Sequence, residues 1–401
     1  MNTHIDQEYS KILEKIAENL DLTPTQYEIA TRSYQAVGGY LDAYDSMLKP
    51  FRPQIIPQGS FRYGTVTKPW LDGEEYDIDL TCKLHIHESN ITQIYLKKLV
   101  GDRLKENANY KRMLAPERRR CWRIQYNEGF RFHLDVVPAI PDSPAYIRQL
   151  TEIYGVPPSL ATHALCITDN ETWHTDLEFP KSNPEGYAMW ILERMKVEYE
   201  RRRAILAGQM KLSVDSVDPF LIKTPLQRVI QLLKRHRDVR YGDDLDKPVS
   251  IIITTLAAQS YDNEADIFTA LRNVLSRMER NIGRDHAGNR VILNPVNPRE
   301  NFADKWKANP RREKLFFEWL GAAQRDFNLL AQKRGIHELA IPLKEYFGDK
   351  LVVKSLNEMG EHMRREREEN RLFMESKSGI LTSVASVSTV PVLKHTNYGQ
   401  D

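Results

Sequence analysis

Cysteine is scarce in this sequence: the 401 residues contain only Cys82, Cys121 and Cys166. The number is odd, the three are far apart, and none stands at a Cys-x-x-Cys or Cys-His spacing. A disulfide framework and a structural zinc site are therefore both unexpected. The sequence also lacks an apolar run long enough to span a membrane. The N-terminal segment MNTHIDQEYSKILEKIAENL has no apolar signal-peptide core, so we expect a cytoplasmic protein without membrane contact.

A strong net charge is missing as well. Lys and Arg number 57 and Asp and Glu number 55, which gives a formal net charge of +2 at pH 7. Contacts with nucleotides or nucleic acid must then come from local basic patches, because the overall field is weak. A hydrophobic content of 41% is typical of a packed globular protein, and the length favours two lobes.

The pattern along the chain changes character near residue 180. Before that point we expect N-terminal helices, one of them capped by Thr23, then a strand over 74–84, a helix over 89–107 and a β-hairpin over 121–140. After it the helical period dominates, and the predicted helices cover 184–206, 224–238, 249–260, 264–283 and 308–334. In the helix over 224–238, Thr224 is the expected N-cap, and Leu226, Val229, Ile230 and Leu233 form the expected apolar stripe. Residues 361–371 read as a solvated helix. The fold class is therefore α+β.

The segment EEYDIDLTCKL carries the strongest chemical signal. Asp77 and Asp79 alternate with apolar residues, so both carboxylates project from one face of the predicted strand, with Cα atoms about 6.5–7 Å apart. Glu74 and Glu75 precede this alternation, and we expect both to be solvated. Asp135 lies between apolar residues of the predicted hairpin. If both strands belong to one sheet, three carboxylates converge.

Three converging carboxylates raise their own pKa values unless cations neutralise them. Hard oxygen ligands suit Mg²⁺ or Mn²⁺. Two such ions, about 3.5–4 Å apart, activate an attacking hydroxyl and stabilise a leaving phosphate. Upstream, in QGSFRYGT, Gly59 allows the backbone to approach a phosphate, and Ser60 offers a hydroxyl to an anion. Alone, this Gly-Ser pair would more simply be a loop turn.

The order Gly-Ser, Asp-x-Asp and a distant lone Asp resembles the nucleotidyltransferases of the polymerase β superfold. Other segments extend the resemblance to the bacterial cGAS/DncV-like nucleotidyltransferases (CD-NTases), over about residues 55–306: GSFRYGTVTKP, EYDIDLT, FRFHLDVVPAI, WHTDLEFPKSNPEGYAMWI, LQRVIQLLKRHRD, KPVSIIITTLAAQSY and NPVNPRENFADKW. It implies a polymerase β-like lobe with a mixed sheet and bracing N-terminal helices over 1–180, a helical lobe that completes the active-site cleft over 181–372, and a flexible tail over 373–401.

The resemblance also assigns roles to individual residues. It implies that the triphosphate is held by Gly59, Ser60, Lys234 and Ser250, and that two ions, Mg²⁺ or Mn²⁺, are held by the catalytic residues Asp77, Asp79 and Asp135. Judged from the residues alone, Lys234 is a solvated lysine and Ser250 a helix cap. The zinc-thumb cysteines of the animal DNA sensor are absent, which argues against activation by double-stranded DNA through that element.

The function implied by the resemblance is the synthesis of a cyclic di- or trinucleotide from NTPs, ATP among them, with release of pyrophosphate. In this family the product signals to a downstream effector in anti-phage defence (CBASS), without a requirement for long nucleic acid. A regulatory protein partner, or conjugation through the C-terminus, is also implied, although the sequence ends in Asp401 rather than glycine. Ser182 and Asn183 are candidates for contacting the base.

Two alternatives stay open. One is a template-independent enzyme that extends RNA ends, of the poly(A) or CCA-adding type, which the small net charge disfavours. The other is a catalytically dead scaffold that binds nucleic acid or a protein, which the intact acid triad disfavours. The arginines Arg118, Arg119, Arg120 and Arg123 are interpreted as a solvated surface, with a patch that binds nucleic acid or a nucleotide as the alternative. His133 is interpreted as a satisfied sheet residue rather than a partner of the acids.

Overall fold

A computed structural model describes residues 3–71, 74–127, 129, 131–333, 336–376, 381–382, 386 and 388–392, with only the backbone described at 3–7, 336 and 382. The helices are α1 (Thr3–Glu18), α2 (Pro24–Leu41), α3 (Gly59–Tyr63), α4 (Gln93–Glu106), α5 (Ala108–Met113), α6 (Pro144–Glu152), α7 (Pro158–Ala161), α8 (Pro184–Arg194), α9 (Lys196–Met210), α10 (Pro225–Tyr241), α11 (Ser250–Ser260), α12 (Ile267–Arg277), α13 (Pro310–Leu330), α14 (Ile336–Phe347) and α15 (Asp349–Glu368). The strands are β1 (Gln54–Pro57), β2 (Tyr76–Lys83), β3 (Trp122–Tyr126), β4 (Phe132–Pro141), β5 (Leu165–Ile167), β6 (Lys181–Ser182), β7 (Gly283–Arg284), β8 (Arg290–Val291), β9 (Leu293–Asn294), β10 (Asn297–Asn301), β11 (Phe373–Glu375), β12 (Leu381–Thr382) and β13 (Thr389–Pro391). Among the described helices, none is long and apolar enough to cross a membrane.

The main sheet is mixed, as predicted. Its order is β1-β2-β4-β5-β6, with β3 also paired to β4. β2 and β4 run parallel, whereas the β1–β2, β3–β4 and β4–β5 pairs are antiparallel. The β3–β4 pair is the predicted hairpin. Because β4 has a partner on each side and helices over one face, nearly all of its residues are buried.

The sheet and the helices α2 and α4 enclose one apolar core. Ile78 and Leu80 of β2 are 1% and 0% exposed, and they meet Leu134 of β4 and apolar residues of α4 there. The alternation that the sequence shows in β2 therefore has a physical basis. Its apolar side chains fill this core, which leaves Asp77 and Asp79 on the opposite face.

A second core lies among the helices. α10 is at its centre, and the predicted apolar stripe Leu226, Val229, Ile230 and Leu233 is fully buried there. α1 contributes to this core, whereas α2 contributes to the sheet core, so the N-terminal helices contact both parts. Tyr146 and Leu150 of α6 also pack into the helical core. The chain therefore contributes to the helical core well before residue 180, and the division at that residue stays a prediction.

Several predicted helix boundaries need correction. Thr23 caps α2 and forms a reciprocal capping box with Gln26, as its position suggested, but the helix ends at Leu41. The helix predicted over 184–206 is two helices, because Met195 leaves helical geometry (ψ of 8°) where its buried side chain enters the core. The helix predicted over 264–283 ends at Arg277 and continues as a short 3₁₀ turn.

The C-terminal segments also differ from their predicted description. The solvated helix predicted over 361–371 is the end of α15, which stops at Glu368. The predicted flexible tail, 373–401, includes β11, β12 and β13, which form a small antiparallel sheet with β11 in the middle. Residues 377–380, 383–385, 387 and 393–401 lie outside the described residues, and the flexibility of the tail stays a prediction.

We expect Gly101→Ala to destabilise the protein. A Cβ at this position of α4 would lie 2.2 Å from Cζ2 of the Trp122 indole, which is buried and donates a hydrogen bond to the Lys97 carbonyl. Overpacking of this kind costs about 1–3 kcal/mol of unfolding free energy. Chemical denaturation would measure the loss.

Gly39→Ala in the exposed part of α2 is the matched control. Its Cβ would meet nothing within 4 Å, so the better helix propensity of alanine should raise stability by about 0.5–1 kcal/mol. Equal effects of the two substitutions would contradict the packing argument at Gly101.

Candidate active site

The register between β2 and β4 brings the three predicted acids together. Asp79 lies opposite Asp135, and Asp77 lies opposite His133. All of these side chains are on the face of the sheet that points away from the sheet core. Asp77 is exposed, with 54% of its side chain accessible, whereas Asp135 is buried. The convergence of the three carboxylates, which the sequence could only state as a condition, is therefore present in the fold.

The carboxyl group of Asp79 is in the least favourable electrostatic position of the three. Burial raises its pKa first, and the nearby Asp77 and Asp135 raise it further, to about 8. A buried carboxylate beside two others of the same charge is stable only with a proton or a neighbouring cation. The site is therefore suited to holding cations.

Two basic side chains from neighbouring strands lie against the other acids. Nε2 of His133 is 2.9 Å from Oδ1 of Asp77. Arg123 on β3 donates from Nε to Oδ1 of Asp135 at 2.7 Å and from Nη2 to Oδ2 at 2.6 Å. The interpretation of Arg123 as solvated surface is wrong, and so is that of His133 as a sheet residue unconnected with the acids. Burial opposes a charged His133, but contact with Asp77 outweighs it and raises the His133 pKa.

Glu75 is also more than a solvated residue. Its side chain is half-buried, accepts a hydrogen bond from Arg131, and lies 3.3 Å from Nδ1 of His133. Glu74 is exposed as expected, but its carboxylate accepts hydrogen bonds from the backbone of Trp70 and Leu71 and so holds the turn before β2. Glu75 therefore orients the imidazole that contacts Asp77.

The predicted phosphate loop is attached directly to the triad. The backbone N–H of Gln58 donates to the carbonyl of Asp79 at 2.9 Å, and Gly59 follows with a φ of +62°. A Cβ on Gly59 would lie 2.4 Å from Oδ2 of Asp79, so the close approach requires glycine. Ser60 is half-buried in α3, and its carbonyl accepts from the N–H of Thr65.

Side chains of α10 hold the segment that follows this loop. Gln227 donates to the carbonyl of Tyr63, Gln231 to that of Val66, and Arg235 to that of Lys68, at 2.7–2.8 Å. Just before α10, Lys223 donates to the carbonyl of Gly64. The helical part of the chain therefore fixes the course of the backbone that leaves the phosphate loop.

Lys234 is part of this set of contacts. It is buried, and it donates to the carbonyl and to Oγ1 of Thr65 at 3.1 and 3.3 Å. The interpretation as a solvated lysine is therefore wrong. Its contact with a triphosphate stays a prediction. Burial and, to a smaller extent, Arg237 lower the pKa of Lys234 to about 7.

Ser250 is the first residue of α11, and its hydroxyl accepts a hydrogen bond from Arg237 at 2.9 Å. It does not cap the helix, because Val249 is the N-cap residue and no side chain caps that end. Asn183, a candidate for base contact, is fully buried and caps α8 while donating to the carbonyls of Leu160 and Val296. Ser182, the other candidate for contacting the base, lines the cleft, so its contact with the base stays a prediction.

A cleft of about 1010 Å³ opens between the sheet and the helical part. Asp79, Asp135 and Gly59 line one wall, and Lys247, Val249 and other residues before α11 line another. The arginines at 118, 119, 120 and 123 also line it. Arg118 and Arg120 are exposed, as the solvated-surface interpretation expects, and contact of the first three with a nucleotide stays a prediction. Arg119 and Arg120 are paired with Asp169, a residue that no sequence motif marked.

The donor set fits hard divalent cations. Asp77, His133 and Asp135 each offer a ligand atom, and these atoms lie within 4.8 Å of one another, with the carboxyl of Asp79 beside them. Carboxylate oxygens are the ligands that Mg²⁺ and Mn²⁺ prefer. The unfavourable ionisation of Asp79 is the physical reason to expect such a cation here.

We expect the buried Lys234 to make stability depend on pH. Between pH 7 and its ordinary pKa of 10.5, the unfolded chain holds a proton that folded Lys234 has released, so unfolding free energy rises with pH in this window. Lys234→Met removes that contribution, and the rise between pH 7 and 9.5 should shrink. Denaturant unfolding at several pH values would measure it. Lys98→Met, on the exposed side of α4, is the control and should leave the rise intact. Identical pH profiles for the wild type and Lys234→Met would contradict the burial argument.

Comparison with known proteins agrees with this architecture. The family model for the nucleotidyltransferase domain of the "Cyclic GMP-AMP synthase DncV-like" proteins matches residues 53–138, which include the phosphate loop and all three acids. A c-di-GMP synthase from Roseivirga ehrenbergii is 30% identical over 394 residues, 96% of each chain.

Two solved structures share the fold. That of the Bradyrhizobium diazoefficiens CD-NTase CdnG in complex with GTP has a TM-score of 0.66 at 20% identity, over 88% of this chain and 99% of that one. That of the E. coli MS115-1 CdnC:HORMA-deltaN complex has a TM-score of 0.57 at 16% identity, over 84% of this chain and 96% of that one. The full-length similarity to the c-di-GMP synthase shows that this chain belongs to the DncV-like nucleotidyltransferases, the CD-NTases, a family of cyclic oligonucleotide synthases.

Proposed function

We propose that this protein is a metal-dependent synthase that joins two GTP molecules into cyclic di-GMP and releases two pyrophosphates. The observation that carries the chemistry is the parallel register that sets Asp79 opposite Asp135, beside Gly59 and at the wall of the cleft. The choice of guanine and of a dinucleotide rests on the c-di-GMP synthase that is 30% identical over nearly the full chain.

In this proposal, Asp77, Asp79 and Asp135 hold two divalent ions, Mg²⁺ or Mn²⁺. Such ions lower the pKa of an attacking hydroxyl and neutralise charge on a leaving phosphate. The three carboxylates then share positive charge instead of repelling one another, which removes the cause of the raised Asp79 pKa. The backbone of Asp135 is fixed between β2 and β3. Its carboxylate is therefore proposed to position the attacking ribose hydroxyl.

The backbone around Gly59 and Ser60 accommodates the triphosphate of the donor nucleotide. The α10 contacts to residues 63–68 hold this loop at a fixed distance from the triad. The bound phosphates and the carboxylates would then keep a constant relative position. Lys234 and Ser250 are proposed to extend the phosphate site from the helical side. The cleft volume is at the upper end for small-molecule sites, about 300–1,000 Å³, as expected for a site that receives two nucleotides.

Purified protein incubated with Mg²⁺ or Mn²⁺ and individually labelled NTPs should yield cyclic di-GMP, identified by mass spectrometry and resistant to phosphatase. Asp79→Asn should reduce the rate by about 10³-fold or more, because the site then loses a carboxylate that stabilises the charged transition state.

Asp215→Asn is the matched acid-to-amide control, since this side chain is 96% exposed and distant in sequence from the triad. It should keep wild-type activity. Extension of an added RNA primer instead of a cyclic product would overturn the proposal in favour of an RNA-end enzyme. Product formation that survives Asp79→Asn would remove the triad from the mechanism.

We extend the proposal to the biological role: the product signals in bacterial anti-phage defence through a downstream effector, with a regulatory protein controlling synthesis. Support for this role is membership of the CD-NTase family and the fold shared with CdnC, which is solved in a complex with HORMA-deltaN.

Phages should form fewer plaques on bacteria that carry the native locus than on bacteria that carry the same locus with Asp79→Asn. The reason is that only the former bacteria make the signal. Plaque counts across a panel of phages would measure this. Equal counts throughout the panel, with cyclic product present in the wild-type cells, would contradict the defence role and leave the enzymatic activity standing.

A further inference from the structure

Arg123 occupies both carboxylate oxygens of a proposed metal ligand. It lies directly opposite Asp135 in the antiparallel β3–β4 register, and its guanidinium forms two hydrogen bonds to that carboxylate, at 2.7 and 2.6 Å. The side chains of Arg123 and Asp135 are 20% and 12% exposed. Bidentate arginine–carboxylate pairs in such partly dry surroundings are among the stronger polar contacts in proteins.

This contact conflicts with metal binding at the same carboxylate. A guanidinium and a divalent cation seek the same oxygens, and placing both positive charges beside them is electrostatically unfavourable. Resting on the function proposed above, Asp135 needs at least one free oxygen to serve as a metal ligand. Arg123 must therefore release part of its hold before the triad is complete.

We propose that Arg123 is a positioning residue that keeps Asp135 in place until substrate enters and then transfers its guanidinium to a nucleotide phosphate. Metal binding at Asp135 and nucleotide binding in the cleft are then coupled, because each removes an obstacle to the other. The enzyme completes its metal site only when the triphosphate is present.

The surroundings of Arg123 support this exchange. The residue lines the cleft, so a ligand there lies beside its guanidinium. Its neighbours Arg119 and Arg120 line the same cleft but are paired with Asp169 instead of an acid of the triad. A phosphate presents oxygens in the same forked geometry as a carboxylate, so the guanidinium exchanges one bidentate partner for another. Lysine has no such fork and would hold either partner less firmly.

The test measures Mn²⁺ affinity by electron paramagnetic resonance, without turnover. Titrations are made with and without guanosine 5′-(α,β-methylene)triphosphate, and corrected for Mn²⁺ bound by that nucleotide in solution. In the wild type the nucleotide should strengthen Mn²⁺ binding. Arg123→Gln should bind Mn²⁺ about tenfold more tightly without nucleotide, and its gain from the nucleotide should be smaller by a similar factor.

Two further variants make the result specific. Arg120→Gln removes one positive charge from the same cleft but leaves the Arg123–Asp135 pair intact, so its Mn²⁺ affinity and coupling should match the wild type. Arg123→Lys keeps the charge without the fork and should fall between the wild type and Arg123→Gln. If Arg123→Gln does not fold, as judged by circular dichroism, Arg123→Lys decides the question by the same comparison.

The inference is overturned if the Arg123 variants bind Mn²⁺ as the wild type does, or if Arg120→Gln changes the affinity as much as Arg123→Gln. Failure of the proposed function has a different signature. In that case neither the wild type nor Arg120→Gln binds Mn²⁺ in the cleft with or without nucleotide, and Asp79→Asn makes no difference.

Discussion

The parallel pairing of β2 with β4 places Asp79 opposite Asp135 and Asp77 opposite His133, and the other features of the site follow from this register. Two strands with apolar faces toward a common core must present their other faces together, and in this chain those faces carry acids. A shift of one residue would bury the acids and expose Ile78 and Leu80. The hydrophobic effect therefore enforces a cluster of like charges that electrostatics alone would disperse. The unfavourable ionisation of Asp79 is the cost of that arrangement, and the cations proposed above would relieve it.

The second constraint runs from the helical core to the phosphate loop. α10 is buried on nearly all sides, yet it carries Gln227, Gln231 and Arg235, whose polar ends satisfy backbone carbonyls of residues 63–68. Buried polar groups of this kind must be hydrogen-bonded, and losing one partner leaves the other unsatisfied at a cost of about 1–3 kcal/mol. The same helix is tied to α1 by Arg228, which pairs with Glu14 and Asp21. The loop, α10 and α1 therefore form one connected set.

Local pattern predicted much of this fold. The alternation in β2, the Thr23 and Thr224 caps and the apolar stripe of α10 depend on residues near one another in sequence, and each was found where predicted. The cross-strand partners could not be predicted in the same way. That Arg123 meets Asp135 depends on the strand register, and an arginine among other arginines looks like solvated surface. Asn183 is a related case. Contact with the base was one expectation for this residue, but its side chain is buried and caps α8, as its position just before that helix indicates.

The contacts of His133 with Asp77 and of Arg123 with Asp135 explain how such a site is compatible with a stable fold. Three carboxylates without counter-charges would destabilise the sheet, since burying an unpaired charge costs several kcal/mol. The strand register places His133 beside Asp77 and Arg123 beside Asp135. Asp79 lies between these pairs, where burial and the two other carboxylates raise its pKa to about 8. The strand register therefore places a basic side chain beside two of the three acids. If these acids hold cations, as proposed above, the same side chains would have to yield to them, which would tie the stability of the fold to the energetics of substrate binding.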